Sequence, residues 1–67
     1  MERTVFITRF YARNGECLGI YGVYSDYEKA SADLTTNESN LVFDEEYWVW
    51  RNQDTGYLYR IDEYTVN

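Results

Sequence analysis

The dipeptide Asn14-Gly15 constrains this chain most, because it predicts a tight turn between two segments of high β propensity. Both residues tolerate the positive φ angles that a two-residue hairpin turn requires. The segment before the turn, Thr4 to Ala12, and the segment after it, Cys17 to Tyr24, are rich in β-branched and aromatic residues. The sequence therefore predicts a β-hairpin, with its two strands antiparallel, in the first third of the chain.

One short helix is predicted after this hairpin. Segment 25–28, Ser-Asp-Tyr-Glu, matches a capping box in which Ser25 is the N-cap and Glu28 reaches back to its amide. The helix is expected to end near residue 35 or 36, before a polar loop over 37–40. Its apolar stripe, which would lie on the sheet, consists of Tyr27, Ala30 and Leu34.

Two more strands are predicted in the second half. Residues 41–51 are typical of an extended chain centred on Tyr47-Trp48-Val49-Trp50, and residues 57–66 form the last strand after a turn at 52–56. The predicted fold is α+β, a four-stranded antiparallel sheet of two hairpins with one short helix on one face, in the order β-β-α-β-β. Residues 1–67 are expected to form a single domain.

The residue types argue against catalysis. The chain has no histidine, which removes the commonest general base and the commonest metal ligand. Cys17 is expected to be a small apolar residue within its strand, because free cysteine is among the most buried residue types. Neighbouring carboxylates at 44–46 and 62–63 would point to opposite faces of a strand. We therefore expect no enzymatic activity, no cofactor and no metal site.

The charge predicts the kind of partner. Asp and Glu total 12 against 6 Lys and Arg, and the whole net charge of −6 falls in residues 30–67. An acidic surface repels phosphate backbones, so the sequence predicts no direct nucleic-acid binding and favours a protein partner with a basic surface. The alternative is that the charge serves solubility alone. The chain has no apolar run of membrane-spanning length, and its single Cys17 suits a reducing compartment, so we expect a cytoplasmic protein without a membrane partner.

Aromatic residues beside acidic groups predict a protein-binding surface, because Tyr and Trp are enriched at interface hot spots. Trp48 and Trp50 are two residues apart on the predicted strand and therefore share a face, so both are expected to be core or both surface. The predicted partner-binding residues are Asp44, Glu45, Glu46, Tyr47, Trp48, Trp50, Tyr59, Asp62, Glu63 and Tyr64.

Segment 22–30, Gly-Val-Tyr-Ser-Asp-Tyr-Glu-Lys-Ala, lies between the predicted hairpin and a final strand that ends Asp62-Glu-Tyr-Thr-Val66. In this arrangement the chain resembles small accessory domains of bacteriophages and bacteria, of the host-takeover or anti-defence type. The resemblance implies a phage-encoded inhibitor or modulator of a host protein, such as a nucleic-acid-processing or defence protein, in the host cytoplasm. The alternative is a self-associating structural or accessory protein with a homodimer interface on its aromatic sheet face.

A second resemblance concerns segment 47–56, Tyr-Trp-Val-Trp-Arg-Asn-Gln-Asp-Thr-Gly, which with 64–66 is similar to the second half of an SH3 domain. Segment 23–27, Val-Tyr-Ser-Asp-Tyr, is similar to the opening motif of that family. The resemblance implies an SH3-like small β-barrel as the alternative fold. Its groove for proline-rich peptides would be lined by Tyr24, Tyr27, Trp48 and Tyr64.

Overall fold

Residues 3–66, which the computed structural model describes, form a five-stranded antiparallel sheet with one helix against one face. The elements are β1 (Arg3–Tyr11), β2 (Cys17–Tyr24), α1 (Tyr27–Asn37), β3 (Leu41–Asp44), β4 (Val49–Asn52) and β5 (Leu58–Val66). The strand order across the sheet is β2-β1-β5-β4-β3. The predicted α+β class, with one antiparallel sheet and one helix, is confirmed.

The long pairing of β1 with β5 forms the middle of the sheet. It runs through nine consecutive residue pairs, from Arg3 opposite Val66 to Tyr11 opposite Leu58. On its other side β1 pairs with β2 in the predicted hairpin, where the amide of Glu16 donates to the Asn14 side chain at 3.0 Å. The connection spans residues 12–16 and is not a two-residue turn, because Gly15 has a positive φ and Asn14 does not. The first and last strands are therefore neighbours, and every other element is attached to this pair.

The predicted strand over 41–51 is two strands, so the expected count of four and the order β-β-α-β-β are each short by one strand. Asp44 ends β3, and its carboxylate accepts from the amides of Glu46 and Tyr47 at 3.0 and 3.4 Å. An aspartate that bonds to amides two and three residues ahead closes a turn. Local turn chemistry therefore overrides the β propensity of the aromatic run, and Tyr47 and Trp48 lie in a turn.

The SH3-like barrel expected as the alternative fold is wrong. A barrel requires the two outermost strands to pair, and in residues 3–66 the outermost strands β2 and β3 lie at opposite edges of an open sheet. The residues predicted to line a peptide groove are accordingly dispersed. Tyr24 and Tyr27 lie at the β2–α1 connection, Trp48 follows β3, and Tyr64 is on β5.

Helix α1 begins one residue later than the capping box predicts. Its N-cap is Asp26, whose carboxylate accepts from the amide of Lys29 at 2.8 Å. The Ser25 hydroxyl instead accepts from the Lys29 ammonium at 3.3 Å. Asp and Ser are equally good caps, so the spacing alone could not decide between neighbouring positions. The helix ends at Asn37, slightly beyond the expected end.

The core between helix and sheet is small. The fully buried side chains there are Ala30 and Leu34 from α1 and Thr8 from β1, and Tyr59 of β5 is only 3% exposed. Tyrosine hydroxyls at the margins of the core bond to acids near the helix. Tyr24 donates to Asp33, a residue of α1. The same face of the sheet therefore carries both the core and the bonds that hold the helix on it.

Candidate functional site

The ten residues predicted to bind a partner do not share one surface. Five of them are consecutive and form what we call the hairpin tip, residues 44–48 between β3 and β4. Trp50 and Tyr59 are paired across β4 and β5 on the helix side of the sheet. Asp62 lies on the opposite face, which carries no helix, and Tyr64 shares that face. Glu63 is exposed on the helix side.

The hairpin tip presents two aromatic and two acidic side chains to solvent. Tyr47 is 66% exposed and Trp48 is 59% exposed, and the neighbouring Glu45 and Glu46 are also exposed. Asp44 is half-buried and accepts hydrogen bonds from amides of the turn. The turn is thus fixed by one carboxylate, while the other two remain available to a partner.

Trp48 adopts an unfavourable backbone conformation at this tip. Its φ angle is +57°, in the left-handed region that costs a non-glycine residue about 1–2 kcal/mol. Its indole packs edge-on against Phe43, with ring centroids 5.0 Å apart. A bulky, mostly exposed residue in this conformation is an outlier whose cost the contact with Phe43 offsets. Such outliers are concentrated at binding and active sites.

The expectation that Trp48 and Trp50 are both core or both surface is wrong. Trp50 lies within β4, is half-buried, and its ring packs on Phe43 with centroids 4.9 Å apart. Trp48 precedes β4 and is exposed. Because the strand begins at Val49, the alternation that would relate the two tryptophans does not extend to Trp48.

Tyr59 is a core residue. Its ring packs on Phe10 and Tyr21, at centroid distances of 6.2 and 5.5 Å, and its hydroxyl donates to the Glu38 carboxylate. Burial, followed by the bond to Glu38, raises the pKa of Tyr59 above its usual value. Tyr59 therefore belongs to the core and not to the solvent-exposed surface.

The open face of the sheet carries a second cluster, which joins the predicted residues Asp62 and Tyr64 to arginines that the sequence did not indicate as site residues. Asp62 lies between two arginines, 3.8 Å from Arg9 and 3.0 Å from Arg60. The Arg9 guanidinium lies 5.3 Å from the ring centre of Tyr64, and that of Arg60 lies 5.9 Å from the ring centre of Tyr11. The direct pairing of Arg9 with Arg60 creates this cluster, and only the β1–β5 register reveals it.

A shallow pocket of about 260 Å³ adjoins the open face at one end of the sheet. The guanidinium of Arg13 extends from the β1–β2 turn to the β4–β5 turn, where Gly56 leaves space for it. Arg51 of β4 also lines the pocket. The lining is completed by Asn52, Gln53, Gly56 and Leu58.

Across residues 3–66, no group of three or more His, Cys, Asp or Glu side chains could hold a metal ion. Cys17 is exposed at the start of β2, so its expected burial is wrong. No helix formed by these residues is long and apolar enough to span a membrane.

Comparison of this chain with protein-family models, with curated protein sequences and with solved structures found no match.

Proposed function

We propose that this chain is a non-enzymatic protein-binding module whose hairpin tip contacts a basic surface on its partner. The observation that carries the proposal is the exposed Trp48, held in a left-handed conformation beside Tyr47 and two glutamates. Tyr and Trp supply large contact areas while losing few rotatable bonds, which makes them effective anchors. The Asp44 bonds order the turn in advance, so binding would cost less conformational entropy.

The acidic residues specify the kind of partner. Glu45 and Glu46 stand beside the aromatic anchors in a chain whose net charge is −6. Complementary charge increases the rate of association and disfavours partners of like charge. We infer that the partner presents Lys or Arg around an apolar cleft wide enough for an indole ring. A host protein that handles nucleic acid, one of the targets implied by the phage-domain resemblance, would present such basic side chains.

Self-association through the aromatic sheet face is the weaker proposal. On the helix side of the sheet, α1 contacts β2, β1 and β5, and Tyr59 of β5 is buried. The uncovered face carries Arg9 and Arg60 side by side. Stacking two copies on this face would bring arginines of both copies together, and like charges across an interface are costly.

Affinity capture with matched variants tests the proposed function. The wild type, Trp48→Ala and Glu45→Lys/Glu46→Lys would be used as bait in bacterial lysate at low and high salt. The control is Glu16→Lys/Glu28→Lys, which makes the same change of charge on exposed residues outside the tip. We expect a basic protein to be retained by the wild type and the control at low salt, and to be lost with both tip variants.

The captured protein would then be purified and titrated against the same variants. Removing a central aromatic anchor typically costs about 2 kcal/mol or more of binding free energy, so Trp48→Ala should weaken binding at least about thirtyfold. Equal affinities for the wild type and both tip variants, each shown to be folded by circular dichroism, would rule out the hairpin tip as the contact surface.

A further inference from the structure

The sheet separates the charges of the chain by face, although the sequence intermixes them. Alternate residues of β1, β4 and β5 point to the open face, as the contacts around Asp62 and the pair Arg51–Asp44 establish. The acids that share this face from the strands are Asp44 and Asp62. We call this surface the arginine face; its cations are Arg3, Arg9, Arg51 and Arg60, with Arg13 at its end.

The two carboxylates of the arginine face are already bonded to arginines. Asp62 bonds to Arg9 and Arg60, and Asp44 lies 3.5 Å from Arg51. Arg13 forms no ion pair with any residue in the described range 3–66. The face therefore retains uncompensated positive charge within a chain of net charge −6. The net negative charge of the chain predicts a basic partner, but the positive charge of this face favours an acidic one.

Exposed aliphatic side chains border the arginines on both edges of the sheet. Ile20 and Val23 of β2 are 58% and 59% exposed, and Val42 of β3 is 54% exposed. Ile20 lies opposite Arg9 and Val42 lies opposite Arg51, which places these aliphatic groups on the arginine face. A ligand that covers this face would bury apolar surface at its edges and pair with cations between them.

The pocket at the end of the face suits a carboxylate. An added Cβ at Gly56 would lie 2.5 Å from the Nε of Arg13, so the glycine lets this guanidinium lie over the turn. Arg51 also lines the pocket and is about half exposed. A guanidinium donates two parallel hydrogen bonds to a carboxylate, a geometry that lysine cannot reproduce.

We propose that the arginine face, which meets the hairpin tip only at Asp44, is a second docking surface for an acidic polypeptide segment. A carboxylate of the segment would occupy the pocket between Arg13 and Arg51, and its apolar side chains would cover Ile20, Val23 and Val42. The segment would lie along the sheet, flanked by the pairs Arg9–Tyr64 and Arg60–Tyr11.

Two other occupants fit the face less well. Single-stranded nucleic acid binds by stacking bases on free aromatic rings, but guanidinium groups lie over Tyr11 and Tyr64, and bases gain little from aliphatic edges. A second copy placed face to face would bring the arginines of both chains together. An acidic peptide with apolar residues matches both the charge and the aliphatic borders.

Selection from a displayed library of random short peptides tests this proposal without a known ligand. Wild-type protein would be the target in one selection and Arg13→Glu in a parallel one. Arg13→Glu should fold normally, because the arginine is exposed and has no ion pair among the described residues. We expect wild-type binders to be enriched in Asp and Glu with interspersed aliphatic residues, and this enrichment to be lost with Arg13→Glu.

The best peptide would then be synthesised and titrated. Loss of a charge-assisted bond costs about 1.5–3 kcal/mol, so Arg13→Glu should weaken binding about tenfold or more. Arg13→Lys should recover part of that loss. Lys29→Glu, the same charge reversal on the helix side, and Trp48→Ala should each retain wild-type affinity.

Several results would overturn the proposal. These are selected peptides without acidic enrichment, equal affinity for the wild type and Arg13→Glu, or tighter binding of an oligothymidine strand than of the peptide. Sedimentation showing a dimer that Arg13→Glu dissociates would assign the face to a second copy instead.

Discussion

The indole of Trp48 meets the ring of Phe43 edge-on, with their planes at 82°, while the Trp48 backbone holds a φ of +57°. The ring contact stabilises the tip and the backbone conformation destabilises it. Edge-on aromatic pairs contribute about 0.5–1.5 kcal/mol, and the left-handed conformation costs a similar amount. The two effects nearly cancel, so this tryptophan contributes little net stability for its size.

Replacing Trp48 should separate these two effects. Trp48→Ala removes the ring contact and keeps the strained backbone, whereas Trp48→Gly removes both. We therefore expect Trp48→Gly to be more stable than Trp48→Ala by about 1 kcal/mol, although glycine usually destabilises relative to alanine. Urea unfolding followed by circular dichroism gives the two free energies. Greater stability of the alanine variant would show that the turn relaxes out of the left-handed region.

Thr8 offers a stabilising substitution in the core. Its side chain is fully buried, and its hydroxyl has no hydrogen-bond partner among the described residues. Thr8→Val keeps the shape and removes the unsatisfied group, so the free energy of unfolding should rise by about 1 kcal/mol. Thr4→Val, at an exposed position of the same strand, should change it by less than about 0.5 kcal/mol. A destabilised Thr8→Val protein would mean that the hydroxyl bonds to an internal water.

The position of the helix cap can be tested by paired alanine substitutions. Asp26 accepts from the Lys29 amide, so Asp26→Ala should lower the free energy of unfolding by about 1 kcal/mol. Ser25→Ala removes only a bond to the exposed Lys29 ammonium and should cost less than about 0.5 kcal/mol. Thermal unfolding of both variants measures the difference, and the reverse ranking would restore Ser25 as the cap.

Alkaline pH should destabilise the fold through its tyrosine–carboxylate bonds. The hydrogen bond to Asp33, with burial, raises the pKa of Tyr24 to about 12 in the folded protein. A tyrosine in the unfolded chain ionises near its usual pKa of about 10. Between these values the unfolded state releases the proton first, so the free energy of unfolding falls as pH rises and is nearly constant below about pH 10.

The variants Tyr24→Phe and Asp33→Asn isolate this contribution. Each should lower stability at neutral pH by about 1 kcal/mol and reduce the loss above pH 10. Urea midpoints measured across the alkaline range provide the comparison. A loss of stability that is equally steep in the wild type and in both variants would assign the effect to Tyr59, whose pKa is also raised, by burial and by Glu38.

The sequence predicted those elements whose signals are local. Asn14-Gly15 specified the first hairpin. Of the predicted helix stripe, Ala30 and Leu34 are buried, whereas Tyr27 in the first turn is 37% exposed. The sequence did not predict the turn at 45–48, because Tyr47 and Trp48 have high β propensity and the deciding contact is the side chain of Asp44. Tertiary and turn interactions override intrinsic strand propensity in such cases.

The sequence predicted the hairpin tip but not the arginine face, again because only local signals can be recognised in a sequence. The hairpin tip is a run of consecutive residues, so the aromatic and acidic residues in the sequence, such as Glu45, Glu46 and Trp48, were enough to predict it. The arginine face consists of residues far apart in the chain, such as Arg9 and Arg60, which become neighbours only through the β1–β5 register. The positions of Arg9 and Arg60 in the sequence do not by themselves indicate that the two residues are paired.

The pairing of β1 with β5 has a consequence for how the chain folds. Its nine residue pairs join segments separated by almost the whole described length, from Arg3 opposite Val66 to Tyr11 opposite Leu58. Contacts so distant in sequence form only after a large loop has closed, which slows folding. Joining the ends around residues 3 and 66, and opening the chain at the exposed turn after Asn14, would make this pairing a local hairpin. Such a circular permutant should fold faster to the same sheet, at the cost of making β1–β2 the long-range contact.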